Sequence, residues 1–214
     1  MLDQIPFLEY AVGAFIGLGL AAASGFRVFL PLFTVSLGSY LGWVPVNDSF
    51  EWLASLPTLL ATGIAMIMEI AAYYIPFVDN LLDTLSVPLA TIAGSLLFAS
   101  QFAEVGMFAQ WALALIAGGG TAAVISTGFA GTRAASTAGT AGLGNSAVAT
   151  TETAGAGLLS MLSFLVPVVA ALLALGLIAA VFILGKKAWR KIIRRKTRPT
   201  TTIEVDAVEN KRIE

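Results

Sequence analysis

The chain has no cysteine and no histidine among its 214 residues. Without thiols there is no disulfide, no cysteine nucleophile and no thiolate metal site. Without imidazole there is no histidine ligand to metal or haem and no proton relay tuned near neutral pH. Basic residues are almost as scarce over most of the length. Before position 186 only Arg27 and Arg133 occur, each two positions after a glycine in apolar surroundings, and every lysine lies at or beyond Lys186. A serine nucleophile in the apolar part would therefore lack both histidine and lysine as its base, which argues against an enzyme of that kind.

What fills the sequence instead is hydrocarbon. Hydrophobic residues make up 57% and charged residues only 12%, with a mean hydropathy of +0.87. Apolar runs near 8–24, 26–44, 57–75, 86–103, 106–128 and 156–185 approach or exceed the roughly 20 residues that a helix needs to cross a bilayer. The expected fold is all-α: a polytopic transmembrane helix bundle of about six spans, with broken or re-entrant segments. It forms one domain over residues 8–185, followed by a basic, largely flexible tail over 186–214. Ala21-Ala22-Ala23-Ser24-Gly25 imitates a signal-peptide cleavage site, but Asp3 and Glu9 stand where a signal peptide carries positive charge, so the first segment reads as a retained helix.

Charge is distributed unevenly. Residues 1–185 hold nine acids against two bases, whereas residues 186–214 hold ten bases and four acids, beginning with Lys186-Lys187-Ala188-Trp189-Arg190-Lys191. A basic block directly after an apolar span predicts a cytoplasmic C-terminus, and anionic lipid headgroups are its expected partners. The bilayer itself is the main partner. No nucleic acid is expected, and a homo-oligomer is compatible with the pattern.

Several segments do not fit a plain span. Ser24-Gly25 demands a tight turn or a break, which puts Arg27 beside irregular backbone. Residues 129–155, rich in Gly, Ala, Ser and Thr, read as a loop or a re-entrant segment buried in the bundle. Asp79 and Asp83, at i and i+4 between Pro76 and Pro88, share one face of a short helix. With six spans and both termini inside, the segments around Arg27, Asp79 to Asp83 and Arg133 to Glu152 fall on one side. Tyr10, Tyr40, Trp43, Trp52, Trp111 and Trp189 then lie toward the other. Gly25-Phe26-Arg27 and Gly131-Thr132-Arg133 hint at an internal repeat of the kind found in transporters.

The charges inside this apolar frame are the candidate solute or ion site: Arg27, Glu69, Asp79, Asn80, Asp83, Arg133, Asn145 and Glu152. Each has two readings. Arg27 and Arg133 either bind an anionic group on a translocation route or tie loops and acids together to hold the fold. Glu69, well inside the third run, is either a coupling carboxylate or half of a buried salt bridge to Arg27 or Arg133. Asp79, Asn80 and Asp83 offer oxygen ligands to a hard cation, or simply cap a helix. Gly139-Thr140-Ala141-Gly142-Leu143-Gly144-Asn145 supplies backbone donors but matches no phosphate loop. Neither a resident metal nor a cofactor is expected. At least one arginine should lie within ion-pair reach of Glu69 or of Asp79 to Asp83.

The motifs Gly25-Phe26-Arg27-Val28-Phe29-Leu30-Pro31-Leu32, Phe50-Glu51-Trp52-Leu53, Ile75-Pro76-Phe77-Val78-Asp79-Asn80-Leu81-Leu82-Asp83 and Gly142-Leu143-Gly144-Asn145 together resemble the bacterial domain-of-unknown-function family 4126. The resemblance covers most of residues 10–185 and implies an integral membrane protein, without implying any catalytic or binding residue. The expected protein is a multi-pass component of the bacterial inner membrane. Its expected role is a transporter or channel-like protein for a small polar or anionic solute or an ion. A non-catalytic lipid-binding or assembly protein is the second reading, and a membrane enzyme acting on a lipid phosphate the third.

Overall fold

A computed structural model of the chain describes residues 6–75, 78–102 and 106–196, without the side chains of Pro6, Asn80 and residues 191–196. Among the described residues there are eight α-helices and no strand: α1 (Pro6–Phe26), α2 (Phe29–Tyr40), α3 (Leu56–Ala72), α4 (Val78–Gln101), α5 (Met107–Leu113), α6 (Gly120–Thr140), α7 (Asn145–Leu165) and α8 (Pro167–Lys196). Prolines sit at helix starts, where a missing amide hydrogen is harmless. Pro6 opens α1, Pro167 opens α8, and Pro57 follows Ser55, whose hydroxyl caps α3 by accepting the Thr58 amide at 3.3 Å.

Among the described residues four helical stretches are long and apolar enough to cross a membrane: Phe7–Phe26, Leu81–Gln101, Met107–Thr140 and Pro167–Arg190. A fifth arises if the 3₁₀ turn Asp48–Ala54 and α3, bent by 64°, count as one broken span. The six spans expected from hydropathy therefore reduce to four or five. The run at 26–44 yields only the 12-residue α2, too short for a bilayer at 1.5 Å per residue. The run at 156–185 is divided where Val166 precedes Pro167, because proline disfavours helix at the residue before it.

Residues 129–155 are helical and do not form a loop. They are the last turns of α6 and the first half of α7, joined by a turn in which Ala141 (φ 53°) and Gly142 (φ 89°) adopt left-handed backbone. Polar as they look, their threonines are at home in helix. Thr132, Thr140, Thr150, Thr151 and Thr153 each donate to the carbonyl four residues earlier, which removes the hydroxyl's demand for water. The short acidic helix at Asp79 to Asp83 is likewise the opening of the 24-residue α4, which runs on through Pro88.

Helix α1 is the centre, packed against α4, α6 and α7, with Leu20, Ala21, Ala22 and Ala23 wholly buried. Backbones approach closely where α4 crosses the next membrane helix. A Cβ built on Gly94 would lie 2.6 Å from the Ala122 Cβ and 2.9 Å from the Gly118 oxygen. Small residues at a crossing are the general solution inside lipid, where hydrophobicity does not drive helices together. A π-helical segment, Ala114–Gly119, links α5 to α6 beside that crossing.

Residues 1–179 make one compact unit and residues 180–214 a second. The described part of the second is the end of α8. Residues 197–214, which carry most of the expected flexible tail, lie outside the described residues.

Candidate functional site

At the end of the bundle where α1 and α6 finish and α4 and α7 begin, the isolated charges meet. Arg27 directly follows α1, at the break before α2, and is wholly buried; Arg133 lies within α6 and is 3% exposed. The two Gly-x-Arg sites thus differ in local structure, yet their guanidiniums converge. Both guanidinium carbons sit over the ring of Tyr73, at 3.9 Å for Arg27 and 3.8 Å for Arg133 from its centroid. An aromatic face attracts a desolvated cation more strongly than a wet one.

Glu152 of α7, with no exposed surface, joins the two arginines. Its Oε1 accepts Arg133 Nε at 3.0 Å, its Oε2 pairs with Arg133 Nη2, and the same Oε2 lies 3.5 Å from Arg27 Nη2. Arg133 reaches further, donating Nη1 to Asp83 Oδ1 at 2.7 Å. Arg27 donates Nε to Thr153 Oγ1 at 3.1 Å and Nη2 to the Ala149 carbonyl at 2.8 Å. Its Nη1 is buried and has no hydrogen-bond partner. Arg27 and Tyr73 lie just beyond the ends of their spans. Burial, reinforced by Arg133, lowers the Arg27 pKa to about 10, and burial raises that of the Tyr73 phenol. At neutral pH the first therefore remains charged and the second protonated.

The expected ion pair between an arginine and the acidic turn is present as Arg133 with Asp83. Glu69 has a different arrangement from the salt bridge anticipated for it. It sits in the last turn of α3, where Oε1 accepts the Val28 amide at 2.8 Å and Oε2 the Phe29 amide at 3.0 Å. These are the unpaired amides at the start of α2, so a carboxylate here both caps the helix and meets the positive end of its dipole. Asn145, first residue of α7, donates Nδ2 to Asp79 Oδ2 and to Thr137 Oγ1, each at 3.0 Å, while its Oδ1 is buried without a partner.

Seven of the eight candidates are thus brought to one end of the molecule: Arg27, Glu69, Asp79, Asp83, Arg133, Asn145 and Glu152. The eighth, Asn80, has a side chain outside the described residues. Sequence reasoning missed Tyr73, Thr137 and Thr153. Tyr73 had a legible signal, since it follows Glu69 by four positions and so shares its helix face. The glycine-rich run provides the turn between α6 and α7, not a phosphate cradle.

Tyr73, Phe26 and Phe129 stand at the charged end, whereas, of the aromatic residues expected away from the charges, Tyr10 and Trp111 lie toward the opposite end, roughly 30 Å away along the 21 residues of α1 at 1.5 Å each. Tyr10 there meets Phe102, and Phe50 meets Trp111, with centroids 6.1 and 6.0 Å apart. A cavity of about 460 Å³ opens at that end, lined in part by Glu9, Asn47, Asp48 and Gln101.

The profile of a family described as Domain of unknown function (DUF4126) matches residues 14–209. Comparison with curated proteins and with solved structures finds no match. The helices, the motifs and the extent of that match agree: the chain is a multi-pass membrane protein and belongs to the DUF4126 family.

Proposed function

We propose that this protein moves a small polar or anionic solute, or an ion, across the bacterial inner membrane, with Arg27 and Arg133 as the groups that receive it. One observation carries the reading. Arg27 is wholly buried and charged, yet Nη1 faces no acceptor, while the rest of its guanidinium is held by Thr153, Ala149 and Glu152. Leaving a hydrogen bond from a buried charged group unmade is costly, so the open Nη1, which has only the Tyr73 ring beside its guanidinium, is suited to an acceptor that comes and goes. A donor left open beside a broken helix is the arrangement by which transporters grip an acceptor group on a solute. The ten basic residues that begin with Lys186 support a cytoplasmic C-terminus and contact with anionic lipid.

Flux tests the reading. Purified protein in liposomes on a solid-supported membrane, challenged in turn with chloride, phosphate, carboxylic acids and amino acids, should give a protein-dependent signal for one class. Arg27→Lys, which keeps the charge but loses the planar fork, should remove it while leaving the elution profile unchanged. Signals no different from protein-free liposomes for every class overturn it.

A second reading, lipid handling or membrane assembly, draws on α3. Glu69 is its one buried residue, and Leu60, Ile64, Ile67 and Met68 are more than half exposed. Lipid or a second copy of the chain covering that face, with no flux, is the outcome it requires.

A further inference from the structure

We propose that α7 and α8 form a re-entrant hairpin, entering and leaving the membrane on one side, and that this side, with the arginine site, faces the cytoplasm. The orientation stands apart from the transport reading; that a solute would meet Arg27 and Arg133 from the cytoplasm rests on it.

The vertex of the hairpin lies inside the bundle. α7 runs antiparallel to α1: Ala149 and Thr153 accept from Arg27, a Cβ built on Gly155 would lie 3.1 Å from Cε1 of Phe26, and Ser163 stands against Gly19. The helix ends at Leu165, Val166 breaks it (φ −143°, ψ 74°), and α8 starts at Pro167. In the first turn of α8, Ala170 is again at Gly19, its Cβ 2.8 Å from one built on the glycine. Gly19 is 12 positions after Phe7, where the apolar stretch of α1 begins (19 minus 7), or about 18 Å at 1.5 Å each. The chain thus turns well short of the Tyr10 end.

The surface of α1 shows which way α8 leaves. Leu8, Val12, Phe15, Gly19 and Ala22 follow one another at helical spacing and form one stripe. Before Gly19 the stripe is bare, with Leu8, Val12 and Phe15 44, 39 and 37% exposed; after it Ala22 and Ala23 are wholly buried. Ala170 and Ala174 belong to the same buried cluster as Ala22 and Ala23, and Leu177 and Ile178 pack against that cluster. A helix running on toward Phe7 would have covered the bare part of the stripe. α8 instead covers α1 from Gly19 toward Arg27, back to the end where α7 begins. It is long and apolar enough to cross a membrane, yet it starts inside one.

Charge then selects the side. From Ile178 to Lys186 is eight residues (186 minus 178), about 12 Å of helix, too little to recross a hydrocarbon core of about 30 Å. The ten basic residues from Lys186 onward therefore leave on the side toward which Arg27 and Arg133 are placed, and that accounts for all twelve bases of the chain. The Tyr10 end carries Glu9, Asp48 and Glu51, all exposed, and no base. An imbalance of this kind puts the basic side in the cytoplasm. α1 then starts on the outer side, the reverse of the arrangement expected from six spans.

The test uses the absence of cysteine. Single cysteines are introduced by Ser49→Cys near the Tyr10 end, Leu143→Cys in the turn between α6 and α7, and Val168→Cys beside the vertex, all at positions exposed on the protein surface. Spheroplasts making each full-length variant are treated with a membrane-impermeant maleimide before and after lysis. Ser49→Cys should label in intact spheroplasts and Leu143→Cys only after lysis. Val168→Cys should label only after denaturation in SDS, because its thiol faces lipid and the reactive thiolate is disfavoured there. Phe7→Cys, Ser146→Cys and Leu172→Cys serve in turn if any of the three fails to express. Labelling of Leu143→Cys without lysis overturns the orientation. Labelling of Val168→Cys in intact or lysed spheroplasts overturns the re-entrant hairpin. The expected pattern without any flux keeps the hairpin and sinks the transport reading; flux with the pattern reversed does the opposite.

Discussion

Arg27 and Arg133, far apart in the chain, share one aromatic ring: their guanidinium carbons lie 3.9 and 3.8 Å from the centroid of Tyr73. Like charges this close at low dielectric repel strongly, and what holds them is Glu152 beside both and the Tyr73 ring that both contact. The arrangement ties Tyr73, the residue directly after α3, to α6, α7 and the break after α1.

Glu152→Gln should therefore be among the most damaging single changes. It leaves two buried guanidiniums without their common carboxylate, and removing one partner of a buried pair typically costs about 3–5 kcal/mol. Thermal unfolding in detergent would read this as a large fall in Tm. Arg27→Gln placed in the Glu152→Gln background should cost less than Arg27→Gln alone, since groups in one network are not additive. Simple addition of the two effects would show that Arg27 and Glu152 are not coupled.

Tyr73 separates ring from hydroxyl. Tyr73→Phe keeps the face that both arginines use and should melt close to the parent. Tyr73→Leu removes it and should cost about 2 kcal/mol or more, the range for desolvated cation–π contacts. Equal melting of the two variants would mean that the ring contributes only bulk.

Crossing geometry makes a sharper prediction. Gly94→Val puts carbon where Ala122 and the Gly118 oxygen already are, and such overpacking typically costs about 1–3 kcal/mol. Gly131, in α6 with nothing within 4 Å of a built Cβ, is the control. Gly131→Ala should gain about 0.5–1 kcal/mol, the usual helix preference of alanine over glycine. If both variants lose stability alike, the close approach of α4 is not what requires glycine.

Topology is checked directly. Reporter fusions at Arg198 should be active only on the cytoplasmic side, as the basic block after α8 requires. Activity on the far side would reverse the expected orientation.

The helical membrane class and the grouping of Arg27, Asp83, Arg133 and Glu152 on one side were legible, because apolar length and isolated charge both follow from the cost of burying polar groups in lipid. Residues 129–155 were misread because composition reports solvent preference. It does not show that the threonines bond back to their own helix. The contacts of Glu69 were not legible for a related reason. Sequence marks a buried acid but does not reveal that the break after Arg27 exposes two amides for it. The partner choice of Arg27, Glu152 over Glu69, depends on how α7 packs against α1, which hydropathy leaves undetermined.

The pairing of Arg27 with Glu152 also sets a schedule. The acid is translated 125 residues after the base (152 minus 27), about 6–25 s later at typical synthesis rates of 5–20 residues per second. For most of that interval α1 and α2 are complete, and Tyr73, Asp83 and Arg133 arrive before Glu152. The nascent chain must therefore hold Arg27 at the headgroup level or against the insertion machinery until α7 emerges. The Arg27–Glu152 pairing can thus close only once α7 has been made, so a chain stalled before Glu152 carries Arg27 without that partner.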